Sequence, residues 1–260
     1  MSLVSMGDGV QPKRSKVLGV IPARYKSTRF EGKPLALIDG VPMLMRTYQQ
    51  VKKSDYLDDI MVATEDLRIF DFCCKEGIPV EMTSDSCLTG TDRLVEISKK
   101  YDYDLYVNVQ GDEPVIDPKT IGEIVSLYDD FSDEYNVFNL YKIIFDETQV
   151  NRNTIVKVIV NEKNEAMYFS RLPVPYSQSK LPPDFKQHIP IYGFTKYALD
   201  SFSSVGKTIN EKYEDVELLR FLDLGIKIKV QETFADSISV DVPSDVEKVE
   251  RFIKSKLEDS

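Results

Sequence analysis

Four basic side chains, Arg24, Lys26, Arg29 and Lys33, stand within ten positions, directly after the apolar run Val17-Leu18-Gly19-Val20-Ile21-Pro22. Such a run is the signature of a buried strand, so cationic charge is gathered at a strand end. In open α/β sheets ligands bind at the carboxyl ends of strands, and a cationic cluster there suits a strongly anionic guest, a nucleoside triphosphate first of all. The loop is not a P-loop, because Lys33 is followed by Pro34 and the upstream glycine spacing is missing, and it is not a dinucleotide fingerprint either. A second apolar run, Leu105 to Val109, ends in Gln110-Gly111-Asp112-Glu113-Pro114. A carboxylate at that edge is suited to hold a magnesium ion bridging phosphate oxygens, and Asp112 is the better candidate because it follows the glycine that lets the chain turn. In Ile238-Ser239-Val240-Asp241, Asp241 is expected to end a strand as Asp112 does, which suggests a metal site shared by the two carboxylates. Each feature taken singly has a structural counterpart. The basic loop could be a solvated surface, Asp112 a turn residue capping its own backbone, and Asp241 a residue guarding a helix start.

The elements that must position these groups follow from periodicity. Strand-like and helix-like runs alternate: Val17 to Pro22, helix Met43 to Lys53, strand Ile60 to Ala63, helix Leu67 to Glu76, strand Pro79 to Met82, helix Thr91 to Lys100, strand Leu105 to Val109, helix Lys119 to Tyr128. That is the pattern of βαβ units, so an α/β fold with a doubly wound, mostly parallel sheet is expected. From about Asn136 the chain turns to extended segments, Val137 to Ile144, Thr154 to Asn161 and Ile189 to Phe194, with a turn-rich stretch between Pro173 and Pro190. We expect one domain over residues 16–258, with a β-rich insertion at about 136–195 that covers a pocket or forms a dimer contact. Helices are expected at Lys196 to Val205, Tyr213 to Leu224 and Pro243 to Leu257, and strands at Ile226 to Val230 and Ile238 to Val240. Residues 1–15 are polar, lack periodicity and read as a leader or loose tail.

Composition narrows the function. A chain of 260 residues with 42% hydrophobic content can bury a substantial core. The net charge of −10 opposes nonspecific binding to nucleic acid or an anionic membrane, which makes the basic loop a local device. No apolar run approaches the length of a membrane span, no signal-peptide pattern is present, and a cytoplasmic location is expected. Three cysteines make no disulfide framework, and one histidine leaves no zinc-ligand spacing. Cys73 and Cys74 are expected to be small buried apolar residues.

Together the segments Ile21-Pro22-Ala23-Arg24-Tyr25-Lys26-Ser27-Thr28-Arg29, Gly32-Lys33-Pro34-Leu35, Gln110-Gly111-Asp112-Glu113-Pro114, Tyr168-Phe169-Ser170-Arg171 and Val240-Asp241 resemble those of 3-deoxy-D-manno-octulosonate cytidylyltransferases, the CMP-Kdo synthetases, from about Lys16 to Phe252. The resemblance implies a nucleotide-diphospho-sugar transferase-like fold. It also implies a reaction in which the anomeric hydroxyl of an eight-carbon ulosonic acid attacks the α-phosphate of CTP and pyrophosphate departs, as activation of a lipopolysaccharide or capsule sugar. In-line displacement of this kind depends on charge neutralisation and positioning. By resemblance Ala23, Arg24, Lys33, Thr89, Gly90 and Arg93 contact the nucleotide, and Arg24 and Lys33 steady the leaving pyrophosphate. Asp112 and Asp241 match the magnesium carboxylates, and Asp112, or an oxygen beside it, is placed to take the attacking hydroxyl's proton. On the sugar side the match falls on Gln110, Arg171, His188, Tyr192, Glu214 and Glu217, with the Arg171 fork offered to the sugar carboxylate. A homodimer is implied by the resemblance.

Several positions depart from the family pattern. Cys87-Leu88 stands where His-Gln is usual, Pro190 where glycine precedes the tyrosine, and Leu218 where glutamine follows the glutamate. A pocket that loses hydrogen-bonding groups can favour a different acceptor, such as an amino-substituted octulosonate or a sialic-acid-like sugar. A non-catalytic nucleotide-binding relative is the other alternative, and the retention of Arg24, Lys33, Asp112 and Asp241 speaks against it.

Overall fold

The computed structural model describes residues 14–27, 29–178 and 183–258. The expected leader at 1–15 lies almost wholly outside the described residues, as do Thr28 and residues 179–182 of the turn-rich stretch. Strand β1 (Val17–Pro22) is fully buried because both of its faces are covered: Leu18 and Val20 point into one apolar cluster, Val17 and Ile21 into another. A short hairpin follows, β2 (Leu37–Ile38) and β3 (Val41–Pro42), turning at Asp39 and Gly40, both with positive φ. Strands β4 (Asp59–Thr64), β5 (Val80–Met82) and β6 (Leu105–Val109) join β1 in the parallel order β6-β1-β4-β5. The crossovers are α1 (Met43–Val51), α2 (Leu67–Lys75), α3 (Gly90–Lys100) and α4 (Lys119–Phe131). Apolar residues of α1, α2 and α4 fill the cluster on one face of the sheet, and those of α3 the cluster on the other. The sheet is therefore doubly wound, as expected.

The second half of the chain widens the same sheet. Strands β7 (Val137–Ile143), β8 (Lys157–Val160), β9 (Ala166–Ser170), β10 (Lys186–Phe194) and β11 (Ile228–Glu232) complete nine strands, with the main order β11-β7-β10-β6-β1-β4-β5. Strand β10 runs antiparallel to β6 and β7, and the β8–β9 hairpin attaches beside it. Segment 136–195 thus supplies two strands to the central sheet as well as the hairpin. Register shifts between Ile189 and Tyr192, and Asn139 Nδ2 donates to the carbonyls of Ile189 and Ile191, each at 2.8 Å. Pro190 falls in this irregularity, where a missing N–H sacrifices no ladder bond. The remaining helices are α5 (Glu147–Val150), α6 (Lys196–Ser203), α7 (Ile209–Glu214), α8 (Leu218–Asp223) and α9 (Asp245–Glu258). Among the described residues no helix is long and apolar enough to cross a membrane.

Four expectations require correction. The single helix expected from Tyr213 to Leu224 is two helices, broken at Asp215, whose φ of 51° is a left-handed conformation that Asp tolerates better than most residues. Residues Ile238 to Val240 form no strand: side chains, not a ladder, hold this segment, and its one backbone bond to the opposite turn is Val240 N–H to Asp112 O at 3.0 Å. The strand expected from Thr154 starts only at Lys157, because residues 153–155 are drawn into a loop by hydrogen bonds to Lys157 and Arg171. Cys73 is buried but Cys74 is exposed, since one helical step turns it from the core face of α2.

Candidate active site

At the carboxyl edge of β1 and β6 the chain encloses a cavity of about 590 Å³, a size suited to a nucleotide and a sugar. Its floor depends on Gly111. A Cβ there would stand 2.8 Å from the backbone carbonyl of Pro22, so only glycine lets the 110–113 turn approach the end of β1 so closely. That approach brings Asp112 beneath the basic loop. Lys33 Nζ lies 2.5 Å from Asp112 Oδ2 and donates to the carbonyl of Val240 at 2.9 Å. Arg29 pairs with Asp241 at 3.1 Å. One ammonium therefore bridges two segments that are far apart in sequence, and each carboxylate faces a cation. Arg24 is exposed and, among the described residues, makes no ion pair or hydrogen bond. Beneath Asp112, buried Glu113 accepts hydrogen bonds from the hydroxyls of Ser237 and Ser239. Burial, then the charge of Asp112, pushes its carboxyl up to about 7, and the two serine bonds oppose the shift.

The wall opposite β1 is the start of α3. Thr89 caps it in a reciprocal box with Asp92, and Glu217 reaches across from the α7–α8 junction to accept from Gly90 N–H at 3.1 Å and Thr91 N–H at 3.0 Å. Burial raises the Glu217 carboxyl, while its bonds from Thr91 and Gly90 pull the other way. Arg93 is buried in the pocket lining, 2.6 Å from both Glu65 and the Thr83 hydroxyl. The break at Asp215 makes the reach of Glu217 possible, because a continuous helix would carry its side chain along another direction. Cys87 and Leu88 also line the cavity, and burial, followed by the charge of Glu96, pushes the Cys87 thiol up to about 12.

The remaining wall comes from the loop after α5, the end of β9 and α7. Arg171 lines it, and its guanidinium donates to the carbonyls of Glu214 (2.6 Å), Asn153 (2.9 Å) and Asp215 (3.2 Å).

Of the residues singled out from sequence, the cavity lining brings together Ala23, Arg24, Lys33, Thr89, Gly90, Arg93, Gln110, Asp112, Arg171, Glu217 and Asp241. It does not include His188, Tyr192 or Glu214. His188 is buried, stacked on Tyr192 at 5.5 Å and edge-on to Phe169 at 5.5 Å, and burial, then the nearby Arg171, lowers its pKa to about 3. Among the described residues its Nε2 has no hydrogen-bond partner. Glu214 accepts from the Ser170 hydroxyl (2.9 Å) and the Arg171 N–H (2.8 Å). The lining also holds Arg29, expected only as one of the four cations of the basic loop, and Asn153, Thr154 and Lys207, for which the sequence implies no site role. Arg29 was visible in the basic loop, but nothing local marked the other three.

Among the described residues no three His, Cys, Asp or Glu side chains gather as a metal cage. The donor set is instead two carboxylates on one cavity, each already holding a cation. Two hard oxygen ligands, completed by phosphate oxygens and water, are what magnesium takes in nucleotide sites, so the residues fit that ion.

A cytidylyltransferase family model matches residues 18–228. The chain is 41% identical over 254 residues to a 3-deoxy-manno-octulosonate cytidylyltransferase of Parabacteroides distasonis, covering 93% of this chain and 99% of that protein. It is also 41% identical to the mitochondrial 3-deoxy-manno-octulosonate cytidylyltransferase of Arabidopsis thaliana, over 94% of this chain and 85% of that one. A solved CMP:2-keto-3-deoxy-manno-octonic acid synthetase in complex with CTP superposes with a TM-score of 0.87 at 34% identity, covering 93% of this chain and all of that one. Likeness in fold extends to a 4-diphosphocytidyl-2C-methyl-D-erythritol synthase from Anaerococcus prevotii, at a TM-score of 0.61 and 14% identity. With such identity carried along nearly its whole length and a backbone that follows the same path, the chain belongs to the 3-deoxy-manno-octulosonate cytidylyltransferase family.

Proposed function

We propose that the chain transfers CMP from CTP to the anomeric hydroxyl of 3-deoxy-D-manno-octulosonate (Kdo), releasing pyrophosphate. The observation that carries this reading is the meeting of Lys33, Asp112, Arg29 and Asp241 on one cavity floor, with Arg24, which makes no ion pair or hydrogen bond among the described residues, on the same lining, in a chain of this family. The hydroxyl oxygen forms a bond to the α-phosphorus, the bond between the α-phosphorus and its bridging oxygen breaks, and that oxygen leaves with pyrophosphate. Arg24 and Lys33 hold the triphosphate and meet the charge that accumulates on the leaving group. Lys33 exchanges part of its contact with Asp112, and Arg29 part of its contact with Asp241, for phosphate oxygens; Asp112 and Asp241 would then hold a magnesium ion, which would supply neutralisation of phosphate charge. Asp112, on the turn that closes the cavity floor, is the carboxylate assigned to accept the hydroxyl proton.

Ala23, Thr89, Gly90 and Arg93 form the nucleotide wall, and Gln110, Arg171 and Glu217 face the acceptor. His188, Tyr192 and Glu214 support that face from beneath, through ring stacking and the Glu214 bonds to Ser170 and Arg171. Pyrophosphate release with CTP and Kdo, compared with other nucleotides and other acidic sugars with and without magnesium, tests the assignment. Turnover is expected for CTP with Kdo in the presence of magnesium, and no turnover with any pair overturns it.

Cys87 and Leu88 in the lining favour a second reading, an amino-substituted octulosonate or a sialic-acid-like acid as acceptor, which the same panel distinguishes. Residues 16–258 act as one catalytic unit, serving lipopolysaccharide or capsule sugar activation in the cytoplasm. Exposed Phe145, Met167, Leu172 and Tyr176 in segment 136–195 support a homodimer through that region, which sedimentation of the purified chain checks.

A further inference from the structure

Lys157, the first residue of β8, is completely buried, yet among the described residues no carboxylate forms an ion pair with it. Its ammonium has three protons and finds three backbone carbonyls: Arg152 at 3.0 Å, Ile155 at 2.7 Å and Arg171 at 2.7 Å. Burying a cation without a direct ion-pair partner is costly, and a methionine of similar length would fill the space without that cost. Nor does β8 need the charge, since its ladder with β9 runs through the backbone, with Lys157 opposite Ser170. Burial, then the neighbouring Arg171 guanidinium, depresses the lysine's pKa, and the Glu214 carboxylate, which makes no ion pair with it, offsets this only in part.

The three carbonyls show what the charge does. Arg152 and Ile155 flank Asn153 and Thr154, which line the cavity, and Arg171 opens the segment after β9. The Arg171 guanidinium in turn binds the carbonyls of Asn153, Glu214 and Asp215. Two cations in series therefore tie three segments together: Lys157 fixes the loop and the backbone of Arg171, and Arg171 fixes the loop to the end of α7. Without the ammonium the three carbonyls, in partly buried bonds, lose the one donor that holds them together, and the loop that carries Asn153 is no longer tied to the backbone of Arg171.

We propose that Lys157 is a positioning residue for acceptor binding, a carbonyl-bound ammonium that sets the cavity wall formed by Asn153, Thr154 and Arg171. This rests on the reading of that wall as the acceptor side, and the test separates the two. Steady-state kinetics with CTP and Kdo are measured for Lys157→Met, Lys157→Arg and Arg171→Ala, together with thermal unfolding. Lys157→Met is expected to raise the acceptor KM tenfold or more while the CTP KM stays within twofold. Lys157→Arg, which keeps the donors on a larger head, is expected to show a smaller rise in the same direction, and it carries the comparison if the methionine variant does not fold. A merely structural role lowers the amount of active enzyme and leaves both KM values in place, which overturns the proposal, as does an equal rise in both. If Arg171→Ala raises the acceptor KM and neither Lys157 variant does, the tether falls and the acceptor wall stands. If Arg171→Ala leaves the acceptor KM unchanged, the wall is misread and the tether falls with it.

Discussion

The two sides of the cavity use cations in opposite ways. On the donor side Lys33 and Arg29 meet carboxylates, Asp112 and Asp241, in ion pairs on the cavity lining, the Arg29 pair half-exposed and the Lys33 pair partly buried. On the acceptor side Lys157 gives all three of its donors, and Arg171 three of its five, to backbone carbonyls. The half-exposed Arg29–Asp241 pair is worth little, and in both pairs an incoming phosphate or metal charge can take the place of the side-chain partner, because all four residues line the cavity. A buried cation holding carbonyls cannot be exchanged without moving the chain, and so it defines shape. The donor side is thus built to trade charges, and the acceptor side to keep a wall in place.

The largest expected effect is at the donor carboxylate. Asp112→Ala should reduce turnover by about a thousandfold or more, the scale of losing a preorganised charge at the reacting phosphate, while circular dichroism and thermal unfolding stay close to those of the parent chain. Surviving activity would break the donor half of the comparison. Lys33→Ala comes next, with kcat expected to fall by about 10²- to 10³-fold, and the loss should be carried by kcat more than by the acceptor KM. Arg171→Lys should act through the other half. Lysine cannot reproduce three fork-directed bonds, so the acceptor KM should rise by about tenfold, with CTP binding by calorimetry unchanged.

The effects least visible in turnover concern stability, and they carry opposite signs on the two sides. Burial raises the folded pKa of Glu113 to about 7, above its unfolded value, so its contribution is fully present below about pH 4.5 and lost as pH rises through 7. His188 is held at about 3, below its unfolded value, so its contribution is present above about pH 6.5 and lost as pH falls toward 3. Each is worth roughly a few kcal/mol by linkage. Chemical unfolding across pH should show Glu113→Gln flattening the alkaline decline and His188→Phe flattening the acid one. A variant that flattens the other limb would show that the charge environments of the two sides are misassigned.

Legibility in the sequence followed the same division. The donor side was readable because its groups sit at the ends of apolar runs, in short segments such as 22–33 and 110–113, where periodicity and a turn glycine mark them. Asp241 was found for its segment but given the wrong element, since residues 238–240 are held by Glu113, Lys33 and the 112 carbonyl and form no strand. The acceptor side was much less readable. Lys157 reads as one more strand residue, Lys207 as a solvated lysine, and the helix break at Asp215 has no glycine or proline to announce it.

By itself the sequence determined the doubly wound sheet, the edge at which charge collects and the family, because strand burial and helix amphipathicity are local periodic properties. Only the tertiary structure decided which cations are free to be exchanged and which are committed to the backbone. That difference depends on which carbonyls and carboxylates the packed chain brings within about 3 Å of each ammonium or guanidinium, a distance that no spacing along the chain encodes.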